Sequence, residues 1–139
     1  MSILYTARAS ANKGRQGRAV SDDERLDVQL STPSELGGDG GPGTNPEQLF
    51  AAGYAACFMS AMGLVAQQAK IKLPEDAKVD AEVGIGPRAE GGFGLEVTLI
   101  AYLPGVDEAQ GQQLLEKTEQ VCPYSNATRG NVKTMLKLG

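Results

Sequence analysis

Alternation of hydrophobic and polar residues predicts β-strands in both halves of the chain, because this pattern is typical of a half-buried strand. The clearest run extends over residues 93–103, and residues 88–92 form the hairpin that joins it to the preceding strand. The predicted strands cover residues 3–9, 15–20, 26–30, 79–85, 93–103 and 132–138.

A stretch without a single charged residue, residues 48–69, lies between the two groups of strands. Its start carries two competing signals. Thr44 and Glu47 match a capping box, whereas Asn45 followed by Pro46 matches an Asn cap with proline in the first turn. Small residues and Gln dominate the stretch, and both ends lack basic anchors. We therefore expect a buried central helix rather than a membrane span.

A second helix begins near Asp107 and reaches Cys122, after which Pro123 ends or bends it and residues 126–130 form a turn or short helix. The order of strands, helix, strands, helix and strand is typical of an α+β fold with mainly antiparallel sheets. A chain of 139 residues is long enough for one core, so we expect a single domain over residues 1–139.

Charge narrows the range of partners. The net charge of −4 and the pI near 4.8 argue against nucleic acid or an anionic membrane as the main partner. The loop at residues 32–44 contains a Gly-x-Gly-x-x-Gly motif that formally matches a dinucleotide site. No Lys or Arg occurs between Arg25 and Lys70, however, so nothing nearby in the sequence could balance a pyrophosphate. We interpret the loop as a surface segment.

The absence of histidine excludes Cys–His and Ser–His catalysis and most zinc and iron sites. The N-terminus has no basic region followed by an apolar run, so we expect no signal peptide and a cytoplasmic location. In a reducing compartment two cysteines are more often buried packing residues than a structural disulfide.

Cys57 lies near the middle of the uncharged helix, where packing in the core is the simplest role for it. A reactive thiol must ionise, which burial opposes and a nearby cation favours. Cys57 is about three turns from the helix N-terminus, too far for the helix dipole to help. A cation must therefore come from elsewhere in the fold, and arginine is best suited because it stays charged when buried.

Glu47 either caps the helix or holds that arginine in place. Ten residues separate Glu47 from Cys57, which corresponds to about 15 Å of rise along a straight helix. One arginine would have difficulty in reaching both. Either the helix is broken between them, or a partner subunit supplies one of the groups, and we favour the partner subunit.

Cys122 lies at the C-terminal end of the second helix, where the negative end of the helix dipole disfavours a thiolate. This position suits a second thiol that attacks an oxidised sulfur better than it suits a primary nucleophile. A packing role beside Val121 is equally compatible with the sequence.

Four blocks of sequence together resemble the organic hydroperoxide resistance (Ohr) proteins of the OsmC/Ohr superfamily. They occur in the right order and are distributed over nearly the whole chain: residues 14–18, 40–54, 57–58 and 121–131. The resemblance implies an α+β, OsmC/Ohr-like fold, in which antiparallel sheets wrap around two central helices in an intertwined homodimer.

The resemblance also implies a role for each chemical group. Cys57 would be the peroxidatic cysteine and Cys122 the resolving one. Arg18 would lower the pKa of the thiol and bind the peroxide, and Glu47 would hold Arg18 by a salt bridge. The implied reductant is dihydrolipoamide or a similar dithiol, usually carried by a lipoylated protein, and no bound cofactor is expected.

The expected activity is reduction of organic hydroperoxides to alcohols through a sulfenic acid and a Cys57–Cys122 disulfide. The apolar setting favours organic peroxides, and Phe50, Met59 and Tyr124 are candidate pocket residues. Two other classes of protein stay open at this point: a redox sensor that uses the same cysteines, and a dimeric binding module in which the cysteines only pack.

Overall fold

The computed structural model describes residues 1–139 and has an α+β architecture with two three-stranded sheets and three α-helices. Its residues group into two compact units, Met1–Leu49 and Phe50–Gly139. The single domain expected from the chain length therefore stays a prediction.

The first unit contains a small antiparallel sheet in the order β1-β2-β3. Its strands are β1, Ala9–Ala11, β2, Arg18–Ser21, and β3, Asp27–Gln29. A 3-10 turn at Gly14–Gln16 connects β1 to β2 and carries Arg15. The turn is tight, because a Cβ atom on Gly17 would collide with the carbonyl group of Asn12.

The strand predicted at residues 3–9 is wrong over most of its length, since only Ala9 belongs to a strand and residues 1–8 are exposed. Alternation indicates a strand only where a neighbouring strand pairs with the backbone. Pairing with β2 begins at Ala9, opposite Ser21. Residues 32–44 form a loop as expected, with a short 3-10 turn at Ser34–Leu36.

Helix α1, Pro46–Gln68, begins in the first unit and continues into the second without a break. Of the two start signals, the Asn45 cap is confirmed, because the backbone N–H of Gln48 donates to Asn45 Oδ1 at 2.8 Å. Thr44 Oγ1 donates to Gln48 Oε1 at 2.6 Å instead of forming a capping box with Glu47.

The second unit has a three-stranded sheet in the order β4-β5-β6. β4, Lys78–Pro87, and β5, Phe93–Tyr102, form the predicted hairpin, and β6, Lys133–Leu138, pairs with β5 in parallel. The sheets are thus mainly antiparallel, with one parallel pair. Two helices lie between β5 and β6: α2, Glu108–Val121, and α3, Pro123–Thr128.

The core of the second unit is formed by apolar side chains of α1, α2 and the β4-β5-β6 sheet. Its largest fully buried members are Tyr54, Phe58, Met62, Val97, Leu99, Leu114 and Leu115. By length and composition alone α1 could cross a membrane, but core helices of soluble proteins meet the same criteria. Only 33% of its most apolar window is buried in this single chain.

Candidate redox site

The two cysteines, 65 positions apart in the sequence, meet in the second unit. The thiol of Cys122 donates to the sulfur of Cys57, with 3.6 Å between the two Sγ atoms. Both are free thiols. Cys122 is fully buried, whereas Cys57 is half-buried, so of the two only Cys57 is open to a small molecule from solvent.

Cys122 joins α2 to α3 with an extended backbone, at φ −62° and ψ 123°. Pro123 does more than end α2, because it is also the first residue of α3, where a missing N–H and a fixed φ cost nothing. Cys122 therefore lies at the end of one helix and at the start of another. The dipoles of both helices act on Cys122, so the α2 dipole alone does not set its reactivity, and the clearer difference between the two thiols is burial.

Two side chains hold the corner between α2 and α3 from outside. Arg129 Nη2 donates to the carbonyl oxygen of Glu119 at 2.8 Å, and Asn126 Nδ2 donates to that of Gln120 at 3.3 Å. Both acceptors are in the last turn of α2, where carbonyl groups lack a partner within the helix. The corner fixes where the sulfur of Cys122 lies.

The groups around Cys57 do not activate it. Burial raises the pKa of the Cys57 thiol, the backbone N–H of Tyr124 lowers it by a smaller amount, and the neighbouring Cys122 thiol raises it again. The net direction is upward. No cationic side chain is among these groups.

Glu47 binds an arginine, but that arginine is Arg15. Arg15 Nη1 donates to Glu47 Oε2 at 2.8 Å and Nη2 donates to Oε1 at 2.6 Å, a bidentate and partly buried pair. The hydrogen bonds from Arg15 hold the pKa of the Glu47 carboxyl below its ordinary value, although burial opposes this. Both partners are in the first unit.

The salt bridge expected between Arg18 and Glu47 is therefore corrected. Arg18 Nε donates to Asp27 Oδ1 at 2.6 Å, and both side chains are largely open to solvent. The strand register explains this pairing. Val20 is opposite Asp27, and Arg18 is two positions from Val20 on the same face of the sheet, so Arg18 and Asp27 are diagonal neighbours.

Of the three candidate pocket residues, the structure brings two together. The ring centroids of Phe50 and Tyr124 are 6.2 Å apart, and the ring of Tyr54 lies 6.2 Å from the first and 5.7 Å from the second. Met59 is two positions from Cys57, and residues with this spacing do not share a helix face. The helix geometry therefore does not support Met59 as part of the same pocket.

Sequence reasoning missed Arg15 and Tyr54. Arg15 stood in the motif at residues 14–18, but spacing alone did not distinguish it from Arg18. Tyr54 carries a hydroxyl group in an apolar helix, and such a buried group needs a hydrogen-bond partner. This need for a partner was the sequence signal that could have identified Tyr54. No group of three or more His, Cys, Asp or Glu side chains is arranged to hold a metal ion.

Comparison with known proteins places this geometry in a family. The family model "OsmC-like protein" matches residues 37–137. The chain is 61% identical over 136 residues to the organic hydroperoxide resistance protein of Xanthomonas axonopodis pv. citri, covering 98% of this chain and 95% of the relative. It is 42% identical over 136 residues to the organic hydroperoxide resistance protein OhrB of Bacillus subtilis, covering 97% and 98%.

The fold is also shared with solved structures. A crystal structure of an organic hydroperoxide resistance protein from Elizabethkingia anophelis aligns with a TM-score of 0.94 at 51% identity, covering 100% of this chain and 99% of that one. The predicted OsmC/Ohr-like α+β fold is thereby confirmed. The chain belongs to the organic hydroperoxide resistance proteins, a branch of the OsmC-like family.

Proposed function

We propose that this protein is a thiol peroxidase that reduces organic hydroperoxides to alcohols. Its family membership gives it a role in organic hydroperoxide resistance. The observation that carries the proposed mechanism is the 3.6 Å separation between a half-buried and a fully buried thiol. A disulfide needs about 2.05 Å between sulfurs, so a small movement would join them.

In the proposed first step the Cys57 thiolate attacks one oxygen of the hydroperoxide and the O–O bond breaks. The other oxygen leaves with a proton as the alcohol, and Cys57 becomes a sulfenic acid. In the second step the sulfur of Cys122 attacks that of Cys57. A disulfide forms, and the hydroxyl group leaves with the Cys122 proton as water. Fast formation of the disulfide would protect Cys57 from a second oxidation.

Arg15 is our candidate for the cation that the first step requires. Burial raises the pKa of Cys57, so a nearby positive charge is needed to populate the thiolate at neutral pH. Arg15 is held by a bidentate carboxylate pair, which fixes the orientation of a guanidinium and suits it to electrostatic stabilisation of charge. Glu47 would then be a positioning residue.

The working form is proposed to be a homodimer. No charged residue occurs over residues 48–69, and one stripe of α1 is exposed at every fourth position. The stripe consists of Ala52, Ala56, Ser60 and Leu64. Small side chains allow close packing of another backbone, and a second copy of the chain would cover this surface with an identical one.

The disulfide must be reduced for turnover, and the proposed reductant is a dithiol such as dihydrolipoamide on a lipoylated protein. Two thiol–disulfide exchanges would return both cysteines to thiols and leave the dithiol as its cyclic disulfide. The cycle requires no bound cofactor. We propose a cytoplasmic location, where free cysteines are kept reduced.

The direct test is to follow loss of an alkyl hydroperoxide in the presence of dihydrolipoamide. Wild type should turn over, Cys57→Ser should be inactive, and Cys122→Ser should perform the first step and then accumulate higher oxidation states of Cys57. Intact mass after one equivalent of peroxide should show loss of two hydrogens and no added oxygen in the wild type.

Unchanged activity in Cys57→Ser would end the peroxidase proposal. Oxidation by one equivalent without turnover by any dithiol would instead favour a redox sensor.

A further inference from the structure

Three buried hydroxyl groups form a cluster that the mechanism above does not use. Tyr54 Oη shares hydrogen bonds with Ser125 Oγ at 2.8 Å and with Thr128 Oγ1 at 3.3 Å. Tyr54 is 0% exposed, Ser125 2% and Thr128 5%. Hydroxyl groups buried without a partner are unfavourable, and every buried side-chain polar atom in this chain has one.

The cluster joins the two helices that carry or follow the cysteines. Tyr54 is three residues before Cys57 on α1, and residues at this spacing are neighbours on a helix surface. Ser125 is three residues after Cys122, within α3. Both hydrogen bonds that join a side chain of α1 to a side chain of α3 end on the Tyr54 phenol. The bonds from Arg129 and Asn126 tie α3 to α2 only.

Disulfide formation is sensitive to this arrangement. The sulfurs must approach from 3.6 Å to about 2.05 Å with a suitable torsion angle. A misplacement of about 1 Å in a reacting pair can slow a reaction roughly 100-fold. The backbone N–H of Tyr124, which lowers the pKa of Cys57, belongs to the same short helix as Ser125.

We propose that Tyr54 is a positioning residue for the resolving step. Through Ser125 and Thr128 its phenol keeps α3 against α1, so that Cys122 captures the sulfenic acid on Cys57 before a second hydroperoxide oxidises it. The inference rests on the proposed function. In this proposal Tyr54 takes part in no bond that forms or breaks, and the balance of the step is unchanged: two sulfurs join, and one water leaves.

The test uses Tyr54→Phe, which keeps the ring and removes the hydroxyl group. The first step, measured by stopped-flow loss of tert-butyl hydroperoxide in single turnover, should stay within about twofold of wild type. At excess peroxide, intact mass should show the ratio of sulfinic acid to disulfide rising at least about tenfold. A general loss of structure would slow both steps, so the divergence between them identifies positioning.

Two further variants keep the proposal falsifiable. Tyr102→Phe removes a phenol that makes no side-chain hydrogen bond on β5, and should leave both steps unchanged. Ser125→Ala removes the shorter of the two Tyr54 contacts, and should raise the sulfinic acid ratio. The double variant Tyr54→Phe/Ser125→Ala should be no worse than Tyr54→Phe alone, because the two changes remove one shared bond.

An unchanged ratio in folded Tyr54→Phe would overturn the inference, as would an equal slowing of both steps. If Tyr54→Phe does not fold, an unchanged ratio of sulfinic acid to disulfide in Ser125→Ala would also overturn the inference. Either result, with wild type still forming its disulfide, would leave the proposed peroxidase function intact. Failure of wild type to form the disulfide would refute that function instead.

Discussion

Arg15 and Arg18 are three positions apart, and yet each meets a different carboxylate. Arg15 is 34% exposed and paired bidentately with Glu47, whereas Arg18 is 53% exposed and paired through one nitrogen with Asp27. A partly buried, doubly bonded guanidinium is better oriented than one that is screened by water. The two arginines therefore form a matched pair for testing which one activates Cys57.

We expect Arg15→Ala to slow the reaction with an alkyl hydroperoxide on the order of 100-fold and to raise the pKa of the Cys57 thiol. Arg18→Ala, which removes the same charge, should change the rate by less than about threefold. Stopped-flow rates and thiolate absorbance, each measured as a function of pH, separate the two variants. Equal effects from both substitutions would contradict the assignment of Arg15.

The ion pair of the Glu47 carboxylate leads to a second prediction, on how the free energy of unfolding depends on pH. Its pKa is lowered below the ordinary value of 4.5, so the folded state favours the charged form. The ion pair stabilises the protein at neutral pH, and this contribution is lost as the pH falls below that value through the folded pKa. Glu47→Gln should lower the free energy of unfolding at neutral pH by roughly 1 kcal/mol.

Urea unfolding of wild type and Glu47→Gln at neutral pH and at about pH 3 tests this linkage. The difference between the two proteins should shrink in acid. Asp27→Asn, which breaks the exposed pair with Arg18, should show a smaller difference at neutral pH. A difference for Glu47→Gln that grows in acid would have the wrong sign.

At the residue scale, the sequence indicated the two cysteines that come together, but it did not indicate which arginine pairs with Glu47. The Cys57 and Cys122 positions stood out because each belongs to a long motif, and the structure brings their sulfurs together. The partner of Glu47 could not be read from spacing. Which arginine reaches it depends on the 3-10 turn before β2 and on the β2–β3 register, and both are set by long-range pairing.

At the scale of elements, the start of α1 is determined by one side chain. Asn45 Oδ1 accepts from the N–H of Gln48, which would otherwise lack a partner in the first turn. We expect Asn45→Ala to lower the free energy of unfolding by about 1 kcal/mol, and Asn45→Asp to have little effect. Urea unfolding measures both.

Thr44→Ala is the matched control for this prediction, because it removes a hydroxyl that bonds to the Gln48 side chain and caps no backbone group. A larger loss from Thr44→Ala than from Asn45→Ala would mean that the capping box forms in solution.

Elements with local signals were predictable, and elements that depend on a partner surface were not. Alternation predicted the β4–β5 hairpin. The Asp107 cap predicted the start of α2, and Asp107 Oδ2 accepts from the backbone N–H of Gln110 at 3.2 Å. The strand at residues 3–9 failed because the ladder with β2 begins only at Ala9, and before it a single backbone hydrogen bond, from Asp22 to Arg8, is made. The start of α3 at Pro123 was missed because a proline can end one helix and begin the next.

At the scale of the whole molecule, α1 is more apolar than a single chain can bury. A helix of 23 residues whose only charge is Glu47 in its first turn, and which exposes a stripe of Ala52, Ala56, Ser60 and Leu64, is unusual for a surface that stays in water. A second copy of the chain would provide an identical stripe, and two stripes of small residues can pack closely about a two-fold axis. The proposed homodimer therefore predicts where a charge would be disruptive.

Leu64→Glu places a charge on this stripe, where Leu64 is 47% exposed in the single chain. In the dimer that charge would be buried without a partner, which is strongly unfavourable. We expect light scattering to show a dimer for wild type and a monomer for Leu64→Glu. Gln113→Glu adds the same charge to the exposed surface of α2 and should remain a dimer. A monomeric wild type would contradict the proposed homodimer. A dimeric Leu64→Glu variant with an unchanged dissociation constant would mean that a surface other than this stripe holds the subunits together.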